Sequence, residues 1–196
     1  ERVLMKKVFF ITFFIFFSFK VFSLEVTLTQ GSVKPTPIAV TELYSKNSQL
    51  TKVGKNISTV ISDNLERSGL FLPIDKRSFI QDNQSLSNKP RFEDWKLIKA
   101  QHLVSGKISS NNGKISVEFR LYDVFQQKQI VGKKYETSEK NWRRVAHIIS
   151  DSIFKNITGE GGYFDTRIVY VAETGPKENK QKRLAIMDQD LSLIHI

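Results

Sequence analysis

Residues 103–123 read LVSGKISSNNGKISVEFRLYD and predict a β-hairpin near the middle of the chain. The reversal is marked by Asn111-Asn-Gly113, because asparagine and glycine accept the positive φ angles of a tight hairpin turn. After the turn, apolar residues alternate with polar ones, as in a strand with one buried face: Ile115, Val117, Phe119 and Leu121. Residues 129–137 follow as a third strand, so the region predicts an antiparallel meander.

Two long amphipathic helices are predicted on either side of this meander. In residues 51–68 the apolar positions recur at helical spacing: Val53, Ile57, Val60, Ile61 and Leu65. In residues 140–157 the same spacing is kept by Trp142, Val145, Ala146, Ile149, Ile153 and Ile157. Gly69 and Gly159 follow these segments, where glycine favours the end of a helix. A shorter helix is predicted around Trp95.

The order of the elements predicts an α+β domain over residues 24–160. Short strands are expected at 25–30, 37–40 and 70–74, and residues 81–89 are expected to form a polar loop. The strands would form a mixed sheet covered by two to three helices, which allows both kinds of element to bury their apolar faces.

Residues 161–190 predict the start of a second domain. Gly159-Glu-Gly-Gly162 is interpreted as a linker, and strands are expected at 166–172 and 183–187. Because two strands alone are marginally stable in water, we expect the chain to stop inside this second domain. Residues 191–196 fit poorly with what precedes them, and we expect them to be a sequence artefact.

The first residues predict a secretory signal peptide over 5–23. Lys6 and Lys7 precede an uncharged, predominantly apolar run at 8–19, and small residues lie near the expected cut. Cleavage is expected between Ser23 and Leu24. The alternative is a membrane anchor, but a spanning helix needs about 20 apolar residues and this run is shorter. We therefore expect a soluble mature protein outside the cytoplasm.

The composition fits a globular protein and argues against nucleic-acid binding. The chain has 196 residues, no cysteine and a formal net charge of +10, which becomes +7 (26 bases, 19 acids) without residues 1–23. The bases are scattered, and eight of the 15 phenylalanines lie in residues 1–23. No aromatic residues alternate with bases as they do in single-strand binders. A charge-driven nucleic-acid or membrane-surface binder is kept as the weakest alternative.

No constellation in the sequence predicts catalysis or a bound cofactor. There is no Gly-x-Ser-x-Gly motif, no cysteine and no closely spaced pair of histidines, so no catalytic residue, metal site, cofactor or small-molecule substrate is expected. His147 and Asp151 stand four residues apart, a spacing that can orient an imidazole. We interpret them as a pair on the surface of the second long helix.

Four segments together resemble the TolB family. They are Gly69-Leu-Phe-Leu-Pro-Ile-Asp75, Leu103-Val-Ser-Gly-Lys-Ile108, Trp142-Arg-Arg-Val-Ala-His147 and Gly162-Tyr-Phe-Asp-Thr-Arg-Ile-Val-Tyr-Val171. Each motif is weak alone, but their order and spacing match the family from about residue 25 to residue 190. The resemblance covers the first domain of TolB proteins and the first strands of the β-propeller that follows it.

The resemblance implies a non-enzymatic periplasmic adaptor of the Tol-Pal envelope complex, with roles in outer-membrane integrity and in constriction at cell division. It implies that a TolA-type inner-membrane protein binds the mature N-terminus: Glu25, Val26, Thr27, Leu28, Thr29 and Gln30. The family binds the Pal lipoprotein through its six-bladed propeller, so Pal binding is expected only of the full-length protein.

The alternating pattern of residues 25–30 favours binding by strand addition, in which an extended segment joins a partner's sheet edge. Val26 and Leu28 would lie on one side, and Thr27 and Thr29 on the other. In the alternative interpretation, the segment forms an edge strand of its own domain. A different functional class also stays open, namely the N-terminal part of a secreted β-propeller serine peptidase whose catalytic domain would lie downstream.

Overall fold

The computed structural model describes residues 34–86, 89–177, 179–191 and 193–195. The predicted signal peptide at 5–23, its cleavage site between Ser23 and Leu24, and the predicted binding segment at 25–30 lie outside the described residues. These three predictions stay predictions. In the described part of the chain, no helix is both long and apolar enough to cross a membrane.

The described chain contains eight strands and four α-helices. The strands are β1 Thr36–Val40, β2 Phe71–Pro73, β3 His102–Asn111, β4 Lys114–Asp123, β5 Lys128–Ser138, β6 Arg167–Thr174, β7 Gln181–Asp188 and β8 Leu193–His195. The helices are α1 Ser48–Arg67, α2 Asn83–Leu86, α3 Phe92–Leu97 and α4 Trp142–Thr158. Two short 3-10 helices lie at Lys76–Ser78 and Glu139–Asn141.

The first sheet is mixed, as the sequence predicts, and its strand order is β2-β1-β3-β4-β5. Strand β1 runs parallel to both β2 and β3, while β3, β4 and β5 form the predicted antiparallel meander. The turn between β3 and β4 has positive φ at Asn112 (50°) and Gly113 (73°), which is the geometry that these residues favour. Strand β1, which lies between β2 and β3, is buried, with Ile38 and Ala39 fully inaccessible to solvent.

Each face of this sheet carries its own apolar core. The larger core lies between the sheet and helices α1 and α4, and includes Ile57, Ile61, Val117, Phe119, Leu121, Ile149 and Ile153. The smaller core lies on the opposite face under α2 and α3, and includes Ala39, Leu86, Trp95, Leu103, Tyr122 and Val124. Burying one such aliphatic side chain stabilises a fold by about 1.5–3 kcal/mol, so each of the four α-helices is held on the sheet by the apolar residues that it contributes to a core. The predicted α+β class is confirmed.

The predicted loop at 81–89 was partly wrong, because it contains the short helix α2. Asp82 Oδ1 accepts hydrogen bonds from the backbone N–H groups of Gln84 and Ser85, each at 2.9 Å, and so caps this turn. Gln81 is buried and joins separate segments: its Oε1 accepts from Trp95 Nε1 at 3.2 Å and its Nε2 donates to the Lys89 carbonyl at 3.0 Å. A polar stretch is therefore compatible with burial where its polar groups are satisfied.

The helix boundaries differ slightly from the predicted ones. Helix α1 begins at Ser48, earlier than expected, because the Asn47 side chain accepts from the Gln49 N–H at 2.9 Å and caps the helix. Helix α4 begins at Trp142 after the 3-10 turn, and Gly159 ends it with a φ of 81°.

The second sheet has the order β6-β7-β8 and is antiparallel. The two predicted strands are confirmed, and both extend further than expected. The third strand, β8, lies within the segment interpreted as a sequence artefact, and that interpretation stays a prediction. The outer face of the β6–β7 pair exposes four aliphatic side chains: Val169, Val171, Leu184 and Ile186. These strands fit the predicted incomplete first blade of a β-propeller.

Candidate functional site

The structure brings together a polar cluster where helices α1 and α4 meet the end of β7. This junction cluster consists of Asn64 from α1, Arg143 and His147 from α4, and Asp188, Gln189 and Asp190 from the end of β7 and the turn after it. Sequence reasoning did not predict this cluster. None of its members belongs to the predicted binding segment, which lies outside the described residues.

His147 is at the centre of the cluster and is only 1% exposed. The prediction that it forms a surface pair with Asp151 was wrong. The Asp151 carboxylate instead accepts hydrogen bonds from the backbone N–H groups of Phe164 at 2.7 Å and Asp165 at 3.1 Å. Asp151 therefore fixes the chain segment that leaves α4, and His147 is covered by residues distant in the sequence.

The hydrogen bonds of Asn64 determine which nitrogen of His147 carries the proton. Asn64 Oδ1 accepts from Arg67 Nη2 and from Gln189 Nε2, so its amide group must face the other way. Asn64 Nδ2 donates to His147 Nδ1 at 2.9 Å and to Ser150 Oγ at 3.0 Å. Because Nδ1 accepts a hydrogen bond, the neutral ring carries its proton on Nε2.

The protonated Nε2 faces two carboxylates that already interact with an arginine. Nε2 lies 3.7 Å from Oδ2 of Asp188 and 3.7 Å from Oδ2 of Asp190, too far for a hydrogen bond. Arg143 forms an ion pair with Asp190, and its Nε lies 3.9 Å from Asp188 Oδ2. Ion pairs of Arg143 thus join α4 to the end of β7. The hydrogen bond between Gln189 and Asn64 joins α1 to the turn that follows β7.

Burial lowers the pKa of His147 below its ordinary value, and Arg143 lowers it further. Asp190, Asp188 and Asp165 act in the opposite direction, but burial is the largest effect. His147 is therefore neutral at pH 7. A doubly protonated ring would also place an N–H on Nδ1 against the N–H of Asn64, which opposes protonation on geometric grounds.

The ligand atoms of His147, Asp188 and Asp190 lie within 4.8 Å of one another, a spacing that suits a metal ion. The surrounding groups do not favour one. Metal binding through Nε2 requires a lone pair there, whereas the Asn64 contact leaves the lone pair on Nδ1. The Arg143 guanidinium also provides the positive charge that the carboxylates need. We interpret the cluster as a structural junction between the two sheets' supporting elements.

An apolar contact reinforces the junction. Phe164 is buried, and its ring packs edge-on against Phe154 of α4 with centroids 5.8 Å apart. Gly162 passes so close to α4 that an added Cβ would lie 2.6 Å from Cβ of Asp151. The segment interpreted as a linker is therefore held against α4 by side-chain and backbone contacts.

Asp188-Gln-Asp190 is the part of the cluster that the sequence pattern itself indicates. Two carboxylates separated by one residue, directly after an apolar strand, lie on the same side of an extended backbone. Asn64 and His147 gave no comparable signal, because polar residues in a helix are ordinarily exposed. Their burial depends on contacts between residues 83 positions apart.

We predict that His147 makes the protein less stable in mild acid. Since its folded pKa is lowered, the unfolded chain binds a proton first as the pH falls through about 6.5, and the free energy of unfolding then decreases. The cost for one proton is at most about 1.4 kcal/mol per pH unit. Urea unfolding between about pH 7 and pH 5 should show a shallower decline for His147→Gln than for the unmodified chain.

His102 also contributes to the loss of stability in acid, because burial lowers its pKa and the charge of Asp123 only partly opposes this. Both proteins retain His102, so its contribution cancels in the difference. Identical pH profiles for the two proteins would show that His147 does not control acid stability.

Comparison with known proteins places the chain among TolB sequences. The model of the TolB amino-terminal domain family matches residues 24–130. The Tol-Pal system protein TolB of Paramagnetospirillum magneticum is 50% identical over 167 residues, which cover 85% of this chain and 37% of that relative. The protein of the same name from Pelagibacter ubique is 48% identical over 187 residues, or 90% of this chain and 42% of the relative. The chain thus spans well under half of each relative.

A solved structure agrees with the observed fold. The crystal structure of TolB from Acinetobacter baumannii superimposes with a TM-score of 0.66 at 24% sequence identity, and the match covers 80% of this chain and 37% of that one. At this level of identity the likeness concerns the fold alone. It supports the order of elements seen here, with an α+β domain followed by further strands.

Proposed function

Since the chain belongs to the TolB amino-terminal domain family, we propose that it acts as a non-enzymatic adaptor of the Tol-Pal envelope complex. The observation that carries this proposal is its 50% identity, over 85% of its length, to a Tol-Pal system protein TolB. In this role it would help to maintain outer-membrane integrity and to support constriction during cell division by binding other proteins.

The periplasm is the proposed location. Residues 5–23 have the pattern of a cleavable signal peptide, and the family match begins at residue 24, directly after the proposed cleavage between Ser23 and Leu24. The agreement between these two positions supports a mature protein that starts at Leu24.

The proposed binding element is the N-terminal segment Glu25, Val26, Thr27, Leu28, Thr29 and Gln30. We propose that it adds as a strand to the sheet edge of a TolA-type inner-membrane protein, with main-chain hydrogen bonds providing affinity and alternate side chains entering pockets. In the sequence, Pro35 lies between this segment and the buried strand β1. Binding of Pal is assigned to longer family members that carry a whole propeller.

The geometry around His147 argues against a catalytic role for this residue. A general base must reach the proton that it removes, but this ring is 1% exposed and its Nδ1 accepts a hydrogen bond from Asn64. Its Nε2 faces Asp188 and Asp190, which interact with Arg143. The arrangement serves to hold the end of β7 on the helices.

Deleting residues 24–32 tests the proposed binding element. We expect the deletion to abolish binding to the periplasmic domain of a TolA-type protein, measured by isothermal titration calorimetry, because the strand that would join the partner's sheet is then missing. Circular dichroism and thermal unfolding should be unchanged, since the two described cores lie downstream of residue 34. Undiminished affinity of a folded deletion variant would refute the role of this segment.

A further inference from the structure

The two edges of the first sheet differ in their capacity to accept another strand. Strand β2 has three residues and ends at Pro73, which has no N–H to donate. The following residue, Ile74, already donates its N–H to the Ile38 carbonyl at 2.9 Å. Strand β5 has 11 residues, and within the described part of the chain its outer side pairs with no strand. Among the described residues of the first sheet, the long edge with a free row of main-chain donors and acceptors is therefore that of β5.

Strand β5 is fixed by its pairing with β4 and by side-chain packing, so its outer edge is ordered without a bound partner. Tyr135 stacks on Phe119 of β4, with ring centroids 6.3 Å apart and planes 5° from parallel. Val131 and Tyr135 also pack against the larger core. Because the edge is already ordered, little conformational entropy is lost when another strand binds to it, and this favours binding.

The lysines along β5 disfavour binding of a basic segment and favour binding of an acidic one. Lys128, Lys133 and Lys134 are exposed on the strand, and Lys134 forms an ion pair with Glu136 at 2.9 Å. Lys128 and Lys133 have no ion-pair partner among the described residues. Lysines on an edge strand repel basic segments and discourage indiscriminate pairing, whereas an acidic segment would gain from them.

A shallow apolar depression lies at the C-terminal end of β5. It has a volume of about 510 Å³ and is lined by Val53, Gly113, Ser138, Glu139, Lys140 and Trp142. Because Ser138 is the last residue of β5, the depression adjoins the end of this edge strand. Trp142 is partly exposed there, and its indole can report on an occupant.

We propose that the outer edge of β5 accepts an extended acidic segment of a partner protein by strand addition, with an apolar side chain of that segment resting against Val53 and Trp142. The residues of this surface differ from those of the proposed N-terminal binding segment, so the two can be tested by separate substitutions.

The test uses the whole chain described here and a synthetic peptide of about ten residues, a common strand length, in which glutamate alternates with valine. Binding is measured by calorimetry and by the change in Trp142 fluorescence, with Trp142→Phe to assign the signal. We expect Lys133→Glu to weaken binding about tenfold, because it reverses a charge at the middle of the edge. The matched control is Lys55→Glu, which makes the same charge change on the exposed side of α1 and should alter affinity less than about twofold.

A second comparison separates strand addition from simple charge attraction. Methylating alternate peptide nitrogens on the bonding side removes main-chain donors without changing charge, and we expect this to abolish binding. Equal binding of the methylated peptide, or equal effects of Lys133→Glu and Lys55→Glu, would overturn the proposal. The chain lacking residues 24–32 should bind the acidic peptide normally, so failure here is distinguishable from failure of the proposed function.

Discussion

Replacing Gly106 with alanine is expected to lower the free energy of unfolding by about 3 kcal/mol or more, because it overfills the sheet. Gly106 lies in β3 directly opposite Phe119 of β4. An added Cβ would overlap the main-chain oxygen of Glu118 and would lie 2.8 Å from Cδ2 of Leu43. The oxygen belongs to the backbone of the paired strand and cannot move aside, so β3 and β4 would have to separate locally.

Gly161→Ala is the matched control for this substitution. No atom lies within 4 Å of the position of its added Cβ, and its φ is not in the positive region. Urea unfolding of the two variants should give a markedly lower midpoint for Gly106→Ala and an almost unchanged midpoint for Gly161→Ala. Similar midpoints would mean that close approach of β3 and β4 at Gly106 does not determine stability.

Local chemistry explains why much of the fold was predictable from the sequence. The turn at Asn112 and Gly113 specifies the β3–β4 hairpin, and alternation along β4 specifies which side is buried. The apolar faces of α1 and α4 can be predicted from helical spacing, because the residues that face the larger core recur at every third or fourth position. These features depend on residues that are neighbours in the chain.

The junction cluster was not predictable in the same way, because its geometry depends on distant segments. Asn64 meets His147 only when α1 and α4 pack side by side on the sheet. Asn64 meets Gln189, and His147 meets Asp190, only when the end of β7 lies against these helices. Helical spacing alone suggested that His147 would pair with Asp151 on the surface. The structure gives Asp151 two backbone partners in the segment after α4 instead.

The reason for a glycine at position 106 also could not be predicted from the sequence alone. The sequence places a glycine inside a predicted strand, which ordinarily weakens a strand or marks a close backbone approach. Only the paired position of Glu118 and Phe119 shows that a close approach is the reason here. The motif that carries the family resemblance, Leu103-Val-Ser-Gly-Lys-Ile108, thus contains a residue with a specific packing role.

Replacing both Val26 and Leu28 with aspartate is expected to weaken binding to a TolA-type protein by about a hundredfold or more. If residues 25–30 add to a partner's sheet, these two side chains enter the same row of apolar pockets. Losing the burial of each costs about 1.5–3 kcal/mol, and placing a carboxylate there adds a desolvation penalty.

The opposite side of the same segment offers a matched control. Thr27→Asp combined with Thr29→Asp introduces the same two charges, but on the side that would face away from the partner's pockets. Calorimetric titration of both double variants into the periplasmic domain of a TolA-type protein should show severe loss for the Val26 and Leu28 pair and near-normal affinity for the threonine pair. Equal loss from both pairs, or no loss from either, would contradict binding by strand addition.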